Sequence, residues 1–109
     1  MKKSDKKLDQ SIIKALTEVC HWAQDLDQGF EWLTHQVNYQ HFPKSLKITC
    51  VFSTHEAQSS FDAELLTDKI IHAFKTLDIS IKPNQIHFDN EHHCSNEHQG
   101  DWARRLQRH

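Results

Sequence analysis

Residues 5–28 carry apolar side chains at Leu8, Ile12, Leu16, Val19, Ala23 and Leu26, spaced four, four, three, four and three apart. That spacing brackets the 3.6-residue turn and predicts an α-helix with one buried stripe. A helix of this kind needs an opposing layer, so the rest of the chain has to supply one. Ser4 or Asp5 is placed to cap its start by accepting from an unpaired backbone N–H. Gly29 is placed just past its end, where a left-handed backbone costs glycine little.

The opposing layer is a sheet. In residues 46–53, Leu46, Ile48, Cys50 and Phe52 alternate with Lys47, Thr49, Val51 and Ser53. This period of two predicts a strand with one face on the core and the other at least partly wet. Residues 30–38 are read as a second strand, because Phe30, Trp32, Thr34 and Val37 are strand-favouring types. Phe30, Leu33 and Val37 also fit a helical stripe, so a short helix is the competing reading. Residues 38–45 form a loop around Pro43. Residues 54–60 are a polar connector, and 60–77 a second helix with a stripe at Leu66, Ile70, Ala73 or Phe74, and Leu77, for which Ser59 and Ser60 offer caps. Residues 79–89 alternate in two bursts, Ile79/Ile81 and Ile86/Phe88, broken by a bend at Pro83-Asn84.

The expected fold is therefore α+β: a small single-sheet domain over 1–109, with order α-β-β-α-β, a short C-terminal helix and the helices on one face of the sheet. The strands at 46–53 and 79–89 flank a helix and should pair in parallel, while 30–38 should pair antiparallel with 46–53. Residues 89–109 are a polar, histidine-rich tail. Its first part, Asp89 to Gly100, is read as an exposed loop. Asp101 then caps a short helix in which Trp102 and Leu106 share a face and dock back on the domain or on a partner.

Composition narrows the function classes. Hydrophobic residues make up 37% of the 109, enough for one core, and no stretch of 18 or more apolar residues is present to span a membrane. There are only two glycines, Gly29 and Gly100, so no glycine-rich loop is available to cradle phosphate or build an oxyanion hole. The sequence points away from catalysis. The hydroxyl, imidazole and carboxylate of Ser53-Thr54-His55-Glu56 are neighbours on a polar run and do not by themselves make a triad. No apolar run follows the charged start as a secretory signal would require, and Cys20, Cys50 and Cys94 are odd in number and widely spaced, which fits a reducing, cytoplasmic location. Cys20 and Cys50 sit with the apolar stripes, and Cys94 is the thiol expected to be exposed.

Three readings of function follow. The first is a non-enzymatic interaction module, binding a protein partner or a second copy through surplus aromatics: Trp32, Tyr39, Phe42 and Trp102. The second is zinc-type metal binding through His92, His93, Cys94 and His98, the densest group among ten histidines; its weakness is the lack of a paired Cys-x-x-Cys or His-Glu-x-x-His element. The third is single-stranded nucleic-acid binding, with aromatics on a sheet face and the clusters Lys2, Lys3, Lys6, Lys7 and Arg104, Arg105, Arg108 at the ends. A net charge of −2 weighs against it.

Overall fold

The computed structural model describes residues 2–107, so Arg108 of the closing basic cluster lies outside the described residues. The order is α1 (Lys3–Asp25), β1 (Phe30–Gln36), β2 (Lys47–Phe52), α2 (His55–Ser60), α3 (Ala63–Lys75), β3 (Ile86–Asn90), α4 (Glu91–His98) and α5 (Trp102–Leu106). The sheet order is β1-β2-β3, with β1 antiparallel and β3 parallel to the central β2. This is the expected α-β-β-α-β order with a short C-terminal helix, and the strand reading of 30–38 holds. No described helix is long and apolar enough to cross a membrane.

The register sorts the strand residues into two faces. Leu33 lies opposite Cys50, His35 opposite Ile48, and Ile86 and Phe88 beside Ile48 and Cys50. These residues face α1 and α3, whose Ile12, Leu16, Val19, Ala23, Leu66, Ile70 and Phe74 complete one buried core. Trp32, Thr34, Gln36, Lys47, Thr49, Val51, His87 and Asp89 alternate onto the second face.

That second face corrects the expectation of a wet sheet. Thr49 and Val51 are 2% and 0% exposed. They are covered because Asp89 to Gly100 is not an exposed loop: β3 runs straight into α4, and α4 and α5 fold over the second face. The two long helices do share one face, as expected, and the short C-terminal pair occupies the other.

Local chemistry moved other boundaries. The connector at 54–60 holds α2, whose Thr54 side chain accepts from Ala57 N–H. The next helix starts only at Ala63 because Asp62, not Ser59 or Ser60, accepts from Leu65 N–H. α1 begins at Lys3, with Lys2 at its N-cap and no side-chain cap, so neither Ser4 nor Asp5 has that role. Ile79 and Ile81 are buried but form no strand; Pro83–Gln85 is a single 3₁₀ turn leading into β3.

Gly29 serves the turn before β1 at φ +87°. A Cβ there would lie 2.5 Å from the Cβ of Ala57, so it also lets α2 approach. Gly29→Ala should therefore lower unfolding free energy by about 2 kcal/mol, combining a forbidden φ with overpacking. Urea denaturation checks this; an unchanged midpoint would mean α2 does not press on this turn.

Candidate functional site

The second face is closed by side chains that sequence reasoning had assigned to a tail. β1 carries Trp32 and β3 ends beside Glu91, the first residue of α4. The Glu91 carboxylate accepts from both indoles: Trp32 Nε1–H at 2.7 Å and Trp102 Nε1–H at 3.0 Å. The two rings meet edge to face with centroids 4.9 Å apart. An edge-to-face pair is favourable in itself, and the shared acceptor satisfies two partly buried indole donors.

One turn further along α5, Arg105 is 8% exposed and reaches Asp89, itself 7% exposed. Its Nε and Nη2 donate to the two oxygens of Asp89, a bidentate fork. Nη1 donates to Glu97 Oε2 at 2.6 Å and lies 3.2 Å from His98 Nδ1. Arginine has only donors, so His98 accepts in this contact. The Arg105 hydrogen bond lowers the pKa of Glu97. α5 forms because Asp101 caps it by accepting from Arg104 N–H, as the sequence indicated. Gln99 and Gly100 make the turn between α4 and α5, both at positive φ.

The cover is not polar-perfect. Gln36 Nε2 reaches the Leu106 carbonyl at 3.5 Å, but Gln36 Oε1 and the neighbouring Lys47 Nζ are buried with no hydrogen-bond partner among the described residues. Burial lowers the Lys47 pKa. These two side chains stand opposite each other in the β1–β2 register, beside the end of α5.

The four expected interaction residues fall into two pairs. Trp32 and Trp102 form the closure just described. Tyr39 and Phe42 stack with centroids 5.7 Å apart, next to the cis Phe42–Pro43 peptide. Tyr39 donates its hydroxyl hydrogen to Asp9 of α1, and His35 Nε2 lies 3.0 Å from the same oxygen. The Tyr39 and His35 hydrogen bonds hold Asp9 below its ordinary pKa.

The four expected metal ligands spread around α4. Cys94 (0% exposed) and His98 lie on its inner side, four residues apart, and His98 is engaged with Arg105. His92 is exposed. His93 stacks on His55 of α2 and lies 3.2 Å from Asn90 Nδ2. Among the described residues, no three His, Cys, Asp or Glu side chains come together as ligands around one ion. The expectation that Cys94 is the exposed thiol is corrected: burial raises its pKa and pushes the Cys50 thiol up to about 12, while partly exposed Cys20 is the accessible one. Sequence reasoning missed Asp89, Glu91, Gln36, Lys47 and Arg105 as parts of one site; the i, i+3 spacing of Trp102 and Arg105 was the one signal available.

The class that fold and site define is a mixed three-stranded sheet covered on both faces, with a short helix clamped by ionic and indole contacts on the second. Compared with models of protein families, with curated proteins and with solved structures, the chain matches none.

Two outcomes are expected. Lys47→Met should raise unfolding free energy by about 1 kcal/mol, because it removes a buried donor without a partner; a lower urea midpoint would contradict this. Asp9 has a depressed folded pKa, so its bonds add stability above the unfolded value of about 3.9, and this is lost as pH falls through the lower folded value. Asp9→Asn should remove that limb of the stability–pH curve, and superimposable acid limbs in the two proteins would refute the assignment.

Proposed function

We propose that the chain is a non-enzymatic interaction module whose binding groove lies on the second face of the sheet, between Trp32, Asp89 and Glu91. Its partner is a short helix of another protein that carries tryptophan and arginine three residues apart. The observation that supports this reading is α5 itself: Trp102 and Arg105 insert one indole and one guanidinium into the groove and are met by Glu91 and Asp89.

A five-residue helix is too short to be stable alone, so α5 is held by these anchors and not by its own hydrogen bonds. Large parts of its attraction are charge-assisted contacts that another segment of the same chemistry makes equally well. Tethering gives α5 a high effective concentration, so it acts as a resident competitor that a partner displaces. Gln36 Oε1 and Lys47 Nζ, buried beside its end with no partner among the described residues, weaken the resident.

The test uses the full chain with Trp102→Ala and Arg105→Ala, and a fluorescein-labelled peptide of residues 99–107 as probe. The opened chain should bind the peptide saturably, with affinity at least about tenfold above wild type, in which α5 competes. Adding Asp89→Asn should abolish the gain. Trp102→Ala alone is the milder opening if the double variant loses its sheet by amide NMR. Equal, non-saturating anisotropy for the opened and wild-type chains would sink the proposal.

A further inference from the structure

We infer that the partner helix carries an aspartate or glutamate directly after its arginine, and that Lys47 selects this carboxylate. The inference rests on the groove reading above and adds to it a third anchor, one that α5 does not supply.

Lys47 is the first residue of β2 and Gln36 the last of β1, and the two stand opposite each other in the register. Lys47 Nζ and Gln36 Oε1 are buried and have no hydrogen-bond partner among the described residues. A lysine amine carries three donors and no acceptor, so burying it unpaired is costly. Burial lowers its pKa. His87, which lies beside Thr49 on the same face, has its pKa lowered first by burial and then by the Lys47 charge. This end of the second face is therefore basic. The other end, where β3 runs into α4, is acidic through Asp89 and Glu91.

α5 matches only the acidic end. Its Trp102 and Arg105 meet Glu91 and Asp89. At the basic end it brings an apolar side chain, Leu106, and one backbone carbonyl, which accepts from Gln36 Nε2 at 3.5 Å. Leu106 is four residues after Trp102, so the two share a side of the helix, and Trp102 faces the sheet. Opposite residues of an antiparallel pair have Cβ atoms about 5 Å apart, so a side chain that reaches Gln36 is also beside Lys47. A carboxylate at the Leu106 position accepts from Lys47 Nζ and leaves the amine donors over for Gln36 Oε1. A charge-assisted bond of this kind is about twice as strong as a neutral one. A free anion does not have the same access, because the amine is closed off beside the end of α5 and is uncovered only when that helix gives way.

The test uses the opened chain, Trp102→Ala with Arg105→Ala, and fluorescein-labelled 99–107 peptides carrying Leu106→Glu or Leu106→Gln. The two peptides are alike in size, so their difference reports the charge. The Leu106→Glu peptide should bind about tenfold more tightly. Adding Lys47→Met to the opened chain should make the two affinities equal, and Lys47→Arg should retain the preference. The NMR signals of the Lys47 ε-methylene should titrate at higher pH with the Leu106→Glu peptide bound than with the Leu106→Gln peptide. Equal affinities on the opened chain, or a preference that survives Lys47→Met, overturn this inference alone if the unsubstituted peptide still binds. If none of the three peptides binds, the groove reading falls and this inference falls with it.

Discussion

The Glu91 carboxylate holds the second half of this fold together. A three-stranded sheet has two faces to bury, and the long helices α1 and α3 cover only one. On the other face Trp32 projects a large ring with one donor. Exposed, that ring would cost hydrophobic free energy; covered by an apolar side chain, its N–H would be stranded. Glu91 removes the conflict by accepting from Trp32 and Trp102 together, so the ring is covered by another ring and both donors are satisfied.

Arg105 works with that contact at the other end of α5. Its partners come from β3 and from α4, so one guanidinium ties α5 to both. Burying such a group stabilises only when every donor finds an acceptor, and removing Asp89 would leave an uncompensated charge. The cover is consequently specific in position but dependent on few groups. Lys47 Nζ and Gln36 Oε1, without a hydrogen-bond partner among the described residues where α5 ends, mark the limit of what those groups can seal.

What could be read from the chain divides along the same line. α1, β2 and α3 were legible because apolar periodicity is local and each buries an apolar stripe. β1 was ambiguous because Leu33 and Val37 satisfy both periods; its pairing with β2, entered through the Gly29 turn, decides it. α4 was not legible at all. Its inner face is Cys94 and His98, not an apolar stripe, and its burial depends on Arg105 and on the sheet. The sequence reading took a polar segment to be a wet one, whereas ion pairs assembled across 16 residues bury it. The same error inverted the thiols, making Cys94 seem open when α4 turns it inward. Alternation at Ile79 and Ile81 reported burial correctly and pairing incorrectly, since Pro83 directs the chain through a 3₁₀ turn before β3 begins.

The division also explains why the interaction reading attaches to the second face and not to the core. A surface held by apolar packing cannot easily exchange its cover, because every methylene must be matched again. A surface held by one shared carboxylate and one bidentate arginine exchanges like for like, and the exchange needs only a segment with two residues correctly spaced.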